Sequence, residues 1–192
     1  MRLVGGKWRG RKLTDLSSGA AFSDLRPTMD RVRETIFNVL AHGVNFEVQG
    51  ARVLDLFCGT GALGFEALSR GAKFSCFVDS EKTSLDIVEK NKFLLKADDE
   101  VNILRMDATK LKKNLNPTYN LIFLDPPYRK GLGELAIRAA LEKDWISRGA
   151  MIVWEESDIV SPPKELNLVK SKPIGNIHLK FYKMRSHLLA KK

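Results

Sequence analysis

A glycine-rich turn between an apolar strand and a helix is the first part of this 192-residue chain whose residue types could hold a ligand. Residues 53–64 read VLDLFCGTGALG, and a strand predicted at Arg52–Phe57 leads into a helix predicted at Ala62–Arg70. Glycines allow a backbone to approach a ligand closely, and the start of a helix offers free N–H groups. The spacing matches the G-x-G-x-x-G fingerprint of dinucleotide-binding proteins, which is a weak signal on its own.

Asp55 helps to choose between cofactors, because it is an ionisable residue in the apolar strand just before the turn. A carboxylate repels the pyrophosphate of NAD, whereas it attracts the sulfonium and ammonium groups of S-adenosylmethionine. We therefore favour S-adenosylmethionine. Asp79 ends the next predicted strand, where it could accept hydrogen bonds from the ribose hydroxyls, and Asp107 follows the third, where it could bind the adenine amino group. Open α/β sheets bind ligands at these carboxyl ends of strands.

A second chemical signal is the tetrapeptide Asp125-Pro126-Pro127-Tyr128, directly after the apolar run 121–124. An exocyclic amino group on a base is a poor nucleophile, because its lone pair is delocalised into the ring. Asp125 and the carbonyl of Pro126 could both accept hydrogen bonds from that group and aim its lone pair at a methyl group. The prolines stiffen the turn, and Tyr128 offers a face on which an extruded base could stack. Methyl transfer of this kind needs no metal and no nucleophilic side chain.

The elements that must position these turns alternate along the chain after Gly50. The pattern predicts strands at 52–57, 74–79, 101–105, 119–125 and 150–155, with helices at 62–70, 84–96 and 132–142. Such alternation, with apolar strands buried on both faces, is typical of a doubly wound α/β core with an open parallel sheet. Before this core, Leu3–Trp8 is predicted to form a short hairpin or ribbon, and a helix is predicted from a Thr28 cap to about His42. After it, residues 176–184 alternate like an antiparallel strand.

Basic residues are concentrated at the two ends of the chain, whose formal net charge is +9. Residues 1–33 hold eight basic and three acidic side chains, and residues 166–192 hold seven basic and none acidic. This distribution indicates a polyanion-binding face built from the termini. The stretch 7–12, KWRGRK, interleaves cations with an aromatic residue and a glycine, which suits a β-ribbon that presents cations to phosphates.

Several other classes of protein are disfavoured by the sequence. Cys58 and Cys76 form no CxxC pair, and the three histidines are scattered without ligand spacing, so neither a disulfide scaffold nor a zinc cluster is expected. The apolar runs are far shorter than the ~18 residues of a membrane span, and the N-terminus lacks the apolar stretch of a secretory signal. We therefore expect a cytoplasmic protein with neither a metal nor a membrane partner.

Four blocks of residues follow one another between residues 5 and 128: GGKWRGRKL at 5–13, LRPTMDRVRETIFN at 25–38, DLFCGTGALG at 55–64 and DPPY at 125–128. Together they resemble the family of ribosomal RNA small subunit methyltransferase D. The resemblance implies a class I S-adenosylmethionine-dependent methyltransferase fold, which is Rossmann-like with a mostly parallel seven-stranded sheet. It also implies methylation of the exocyclic N2 of one guanosine in 16S ribosomal RNA, either free or in a ribosomal particle. Cys58 departs from the usual alanine, and Asp79 from the common glutamate, which shortens its reach to the ribose by one methylene.

The residue chemistry and this resemblance together predict three groups of functional residues. The catalytic residues would be Asp125, Pro126 and Tyr128. The cofactor would be bound by Asp55, Phe57, Cys58, Gly59, Thr60, Gly61, Ala62, Asp79, Ser80, Asp107, Ala108 and Asp125. RNA would contact Lys7, Trp8, Arg9, Arg11, Lys12, Arg26, Arg31 and Arg33. Residues 1–27 would form a basic RNA-binding extension, and residues 28–192 the methyltransferase domain.

Three other functions stay open at this point. A DNA adenine-N6 methyltransferase is the nearest, because Asp-Pro-Pro-Tyr chemistry serves any planar amino group, but the chain leaves little room for an added target-recognition region. A non-catalytic RNA-binding factor of ribosome assembly could keep the same fold. An NAD-dependent dehydrogenase is the most distant alternative.

Overall fold

The apolar segments form one seven-stranded sheet in the computed structural model, which describes residues 1–15, 25–127, 131–156, 161–175 and 177–186. The strands across the sheet lie in the order β3-β2-β1-β4-β5-β7-β6. Strands β1 to β5 run parallel, whereas β7 is antiparallel to both β5 and β6. The predicted doubly wound, mostly parallel sheet is confirmed. In chain order the strands are β1 (Arg52–Leu56), β2 (Phe74–Asp79), β3 (Val101–Arg105), β4 (Tyr119–Leu124), β5 (Ile146–Glu156), β6 (Leu166–Ile174) and β7 (Ile177–Met184).

Helices cover both faces of this sheet, because its central strands carry apolar side chains on both sides. One face is covered by α1 (Leu25–Asn38), α2 (Ala62–Ser69) and α3 (Lys82–Leu95). On this face the rings of Phe37 and Phe123 meet with their centroids 5.8 Å apart. The other face is covered by α4 (Leu132–Glu142). A single π-helical turn, Val39–Gly43, continues α1.

The structure differs from the sequence prediction most clearly at α1, β5 and β6. α1 is already helical at Leu25, three residues before the predicted cap, and Pro27 fits because the first helical turn has no backbone hydrogen bond for it to break. β5 starts at Ile146 rather than at residue 150, across an irregular register with β4. β6 is missing from the prediction, because most residues of this edge strand are exposed and give no clear alternation. Pro173 is tolerated there because an edge strand leaves some backbone N–H groups unpaired.

Residues 1–14 pack against the face of the sheet that is covered by α1, α2 and α3. Arg2 and Lys12 form an antiparallel bridge, with a 3-10 turn at Gly6–Trp8 between them, so the ribbon spans more residues than predicted. Leu3 and Leu13 are buried in the same core as α1 and α2. The division of the chain at residue 27 stays a prediction, since residues 16–24 lie outside the described ranges.

Candidate active site

Four neighbouring strands place five acidic residues along one edge of the sheet. Asp55 lies near the end of β1, Asp79 ends β2, Asp125 directly follows β4, and Glu155 and Glu156 end β5. Because these strands are parallel and adjacent in the order β2-β1-β4-β5, their carboxyl ends gather the acids. We call this group of five residues the acidic rim. It lies where open α/β sheets bind their ligands.

The glycine turn is fixed by two carboxylates of the acidic rim. The Gly59 N–H donates a hydrogen bond to Asp79 at 2.9 Å, and the Gly64 N–H donates one to Asp55 at 2.9 Å. A Cβ atom on Gly64 would lie 2.3 Å from the ring of Phe77, so glycine is required for α2 to start this close to β2. At Gly59, where φ is +53°, a Cβ atom would meet no atom within 4 Å. The turn is therefore held firmly on the sheet side and open on the other.

Asp55 is a buried acid whose charge is poorly compensated. The residue is 2% exposed, and no ion pair joins it to a cation among the described residues. Burial raises the pKa of Asp55 to about 8; the Gly64 hydrogen bond opposes this rise, and the negative charge of Asp79 adds to it. A positively charged ligand beside Asp55 would stabilise the carboxylate and lower this pKa.

Asp125 occupies the centre of the acidic rim. Asp125 is exposed at the end of β4. Desolvation by nearby protein atoms, and then the negative charges of Glu155, Asp55 and Glu156, raise the pKa of Asp125 well above its usual value. Pro126 is buried directly behind it. The predicted stacking residue Tyr128 lies outside the described residues. The structure thus brings Asp125 and Asp55 together at one site, as the sequence predicts.

The residues of the rim and the turn fit S-adenosylmethionine. Asp55 and Asp125 both have raised pKa values, which favours a ligand with positive charge, and this molecule carries a sulfonium and an ammonium group. The open side of Gly59 leaves room for a ligand against the backbone, and the Asp79 carboxylate lies at the same turn. A pyrophosphate would instead face several carboxylates, which is the unfavourable sign of charge.

The residues predicted to hold the two ends of the nucleoside lie at the ends of β2 and β3. Asp79 also accepts a hydrogen bond from the Glu81 N–H, and Ser80 between them is exposed. Asp107 caps a short 3-10 helix, Ala108–Lys110, by accepting hydrogen bonds from the Thr109 hydroxyl at 2.7 Å and N–H at 2.9 Å. These hydrogen bonds lower the pKa of Asp107, so it stays an acceptor. Contact of these residues with ribose and adenine stays a prediction, as it does for the other predicted turn residues, Phe57, Cys58, Thr60, Gly61 and Ala62.

The two cysteines are buried thiols, and the described acids are not grouped as metal ligands. Cys58 and Cys76 are free and buried, and burial together with Asp55 and Asp79 raises the pKa of Cys58, which keeps its thiol protonated. Across the described ranges, no group of three or more histidine, cysteine, aspartate or glutamate residues could hold a metal ion. No helix in the same part of the chain is long and apolar enough to cross a membrane.

The basic residues predicted to contact RNA differ in how far they are paired within the protein. Arg9, Arg11, Lys12 and Arg31 are exposed. Lys7 forms an ion pair with Glu100 at 2.8 Å and lies over the half-buried Trp8 ring, 4.2 Å from its centroid. The side chain of Arg26 lies outside the described part of the structure. Whether these residues touch RNA stays a prediction.

Arg33 has a different role from the predicted one. The residue is 3% exposed, and its guanidinium donates hydrogen bonds at 2.6 Å to Asp30 and to the backbone carbonyl of Arg2. Its Nε also lies 3.9 Å from the buried Glu66. Arg33 therefore fastens the N-terminal ribbon to α1, and in this arrangement it is not available to a phosphate.

Sequence reasoning missed two sets of residues. Glu155 and Glu156 complete the acidic rim, and the rule that selected Asp79, an acid at the end of a predicted strand, could have found them. Asn91 had no such signal. It is fully buried on α3, where it exchanges hydrogen bonds with the backbone of Thr14 and donates one to the Thr60 carbonyl at 3.2 Å. Asn91 thus connects the N-terminal segment to the glycine turn.

An acidic rim beside a glycine turn, on a sheet with this strand order, defines the fold of the class I S-adenosylmethionine-dependent methyltransferases. Solved structures agree with this class. The Escherichia coli protein yhhF, described as a methyltransferase, superposes with a TM-score of 0.83 at 32% identity and covers 97% of this chain and 99% of its own. The Haemophilus influenzae protein HI0767, described as a methylase, gives a TM-score of 0.76 at 33% identity, covering 96% and 98%.

Sequence comparisons identify the family. The family described as conserved hypothetical protein 95 matches residues 1–183. Ribosomal RNA small subunit methyltransferase D of Haemophilus influenzae is 37% identical over 188 residues, which cover 95% of this chain and 93% of that protein. The enzyme of the same name from Escherichia coli strain K12 is 35% identical over 185 residues, covering 95% and 89%. The chain belongs to this family of methyltransferases.

Proposed function

We propose that this protein transfers a methyl group from S-adenosylmethionine to the exocyclic N2 of a guanosine in 16S ribosomal RNA. The relatives named above carry ribosomal RNA of the small subunit in their names, which supports the substrate. The observation that carries the chemistry is the position of Asp125 just after β4, two residues beyond Phe123, which pairs with Asp55 of the neighbouring strand. An acceptor for the amino group and a carboxylate for a cation thus share one edge of the sheet.

Asp125 and the Pro126 carbonyl hold the target nitrogen in this proposal. Both accept hydrogen bonds from the N2 amino group, so that its lone pair faces the methyl group. S-adenosylmethionine, when bound, would supply a methyl group on a positively charged sulfur, which would leave as a neutral thioether. The methylated nitrogen then loses a proton, and the Asp125 carboxylate is the nearest acceptor. Desolvation and its acidic neighbours raise the pKa of Asp125, which strengthens it as a base.

Asp55 and Asp79 position the cofactor. The Asp55 carboxylate offsets the positive charge of the cofactor, and Asp79 accepts hydrogen bonds from the ribose hydroxyls. Asp107 and Ala108 would hold the adenine, and the fixed φ angles of Pro126 and Pro127 keep the acceptors rigid. Catalysis in this scheme comes mainly from orientation, because both reactants are held in line before the reaction begins.

The test is methyl transfer by variants of Asp125. With tritiated S-adenosylmethionine and small-subunit ribosomal RNA as substrate, we expect Asp125→Ala to lose about 100-fold or more of the transfer rate, because the oriented acceptor is gone. Cofactor affinity should fall far less than the transfer rate, because Asp55 and the glycine turn are intact. Asp99→Asn is the matched control. Asp99 is an exposed acid just before the amino end of β3, away from the acidic rim, so this variant should transfer the methyl group at the normal rate.

Each other outcome contradicts the proposal in a different way. Wild-type transfer by Asp125→Ala would remove Asp125 from the mechanism. Label in DNA alone would favour an adenine methyltransferase, and no turnover by the wild type on any ribosomal substrate would favour a binding protein.

A further inference from the structure

A concave surface with the opposite charge to the acidic rim lies on the α1 side of the sheet. It is a groove of about 1100 Å³ between α1, with its π-helical turn, and the β6–β7 hairpin. Arg31, Thr35 and Asn38 line it from the helix, and Lys170 and Lys172 line it from the hairpin. We call it the basic groove.

The positions of these residues follow from the periods of the two elements. Residues 31, 35 and 38 are separated by four and three positions, so they share one face of a helix. Lys170 and Lys172 are separated by two, so they share one face of a strand. They pair with Phe181 and Leu179 of β7, whose side chains belong to the core under α1. Directly paired residues share a face, so both lysines face the α1 side of the sheet.

The charge of the basic groove is not compensated within the described residues. Among the described residues, no acidic residue lines the basic groove, and Arg31, Lys170 and Lys172 form no ion pair with a carboxylate. Other basic residues are paired: Lys7 with Glu100, and Arg70 with Glu66. Three like charges around one groove repel each other, and a polyanion along the groove would remove that repulsion.

The register of the sheet relates this groove to the site of methyl transfer. Leu124 of β4 pairs with Trp154 of β5, and the next row across the sheet runs from Glu155 through Leu179 to Lys172. When the pairing of β4 with β5 is continued by one residue, Asp125 lies opposite Glu155 and begins this row. Strands lie ~4.8 Å apart, so three steps separate the backbones of Asp125 and Lys172 by roughly 14 Å. A few nucleotides of a single strand cover such a distance.

We propose that the basic groove binds the phosphate backbone of the RNA that flanks the methylated guanosine. The inference rests on the proposed function, because it takes the nucleotide at Asp125 as the point from which the strand continues. Arg31, Lys170 and Lys172 contact phosphates, while Thr35 and Asn38 offer polar side chains between them. These contacts position the strand without reading its sequence.

The first test reverses the charge of the hairpin. In the variant Lys170→Glu with Lys172→Glu, we expect affinity for a small-subunit ribosomal RNA fragment to fall by about tenfold or more. The slope of the logarithm of RNA affinity against the logarithm of salt concentration should become less negative by about 2. Thermal stability and S-adenosylmethionine affinity should not change, because both lysines are exposed on an edge strand. Lys73→Glu with Lys143→Glu makes the same change of charge near the amino ends of β2 and β5, away from the groove, and RNA affinity should fall less than about threefold.

A second measurement locates the contact. Cys58 and Cys76 are the only cysteines of the chain and both are buried, so Lys172→Cys provides a single exposed thiol for a photo-crosslinker. We expect its crosslinks to map within a few nucleotides of the methylated guanosine, whereas those from Lys73→Cys should not.

The outcomes separate this inference from the proposed function. Equal loss of affinity in the groove pair and in the control pair would show an effect of net charge alone and would overturn the groove. Normal RNA binding and transfer by the groove pair, with Asp125→Ala inactive, would overturn the groove and leave the methyltransferase function standing. A wild type without transfer activity would overturn the function itself, whatever the groove variants do.

Discussion

Asp55 makes the stability of the cofactor-free protein depend on pH. Its pKa is raised from 3.8 to about 8, so between these values the folded protein holds a proton that the unfolded chain has released. Stability should therefore fall as the pH rises from about 4 to about 8, by up to about 1.4 kcal/mol per pH unit for this one group.

Asp55→Asn should remove that part of the pH dependence. Asparagine keeps an oxygen acceptor for the Gly64 N–H but does not ionise, so the variant should gain stability relative to the wild type as the pH approaches 8. Urea unfolding at pH 6 and pH 8 without cofactor measures the difference. The exposed control Asp99→Asn should keep the wild-type slope, and an Asp55→Asn slope as steep as the wild type's would contradict the assignment.

Cofactor affinity should show the opposite pH dependence at the same residue. A cationic ligand binds the Asp55 carboxylate more tightly than the neutral acid, so S-adenosylmethionine affinity should rise between pH 6 and 7.5, by up to about tenfold per unit for one linked proton. S-adenosylhomocysteine, which lacks the sulfonium charge, should show a smaller rise. Calorimetric titration measures both ligands, and Asp55→Asn should give weaker and flatter affinities. A Kd of the wild type that is independent of pH would disprove the link.

At the scale of elements, the glycine turn depends on how closely α2 approaches β2. A Cβ atom on Gly64 would lie 2.3 Å from Phe77 and 2.6 Å from the Ser75 hydroxyl, so Gly64→Ala must push the helix start away from the strand. We expect this overpacking to cost about 1–3 kcal/mol of unfolding free energy. Cofactor affinity should fall as well, because the shift removes the Gly64 N–H from Asp55.

A double-mutant cycle with Phe77→Leu isolates that contact. Leucine removes the ring atom nearest to the added methyl group, so Gly64→Ala should cost less in the Phe77→Leu background than in the wild type. Equal costs in both backgrounds would place the damage elsewhere in the turn.

Elements with a local signal could be predicted from the sequence, and those made by long-range contacts could not. Asp55 and Gly64 belong to one continuous strand, turn and helix, so their pattern alone indicates their neighbourhood. Asp79 and Asp125 come from distant segments, but the geometry of a parallel sheet gathers the ends of its strands. By contrast, the ribbon is held by Glu66 and Asn91, which are 62 and 77 residues away from their partners Val4 and Thr14. Nothing in the local pattern marks such pairs.

For the whole molecule, the distribution of charge separates two kinds of ligand. The net charge is +9, yet the edge of the sheet at the end of β4 is acidic and its neighbouring groove is basic. A small cationic cofactor is attracted to the rim, while a polyanionic strand is attracted to the surface beside it. The rim would repel RNA phosphates, so the strand is expected to present a base, rather than its backbone, to Asp125.

Salt should therefore affect the two ligands unequally. If about six phosphates are neutralised, the logarithm of RNA affinity should fall with the logarithm of salt concentration at a slope between roughly −4 and −5. Cofactor affinity should change little over the same range, because Asp55 is buried and salt screens buried charges weakly. Filter binding of RNA and calorimetry of the cofactor between 50 and 300 mM potassium chloride, on the order of physiological ionic strength, measure both slopes. An RNA slope shallower than about −2 would exclude a binding face built from the basic ends and the groove, since so few phosphates would then be neutralised.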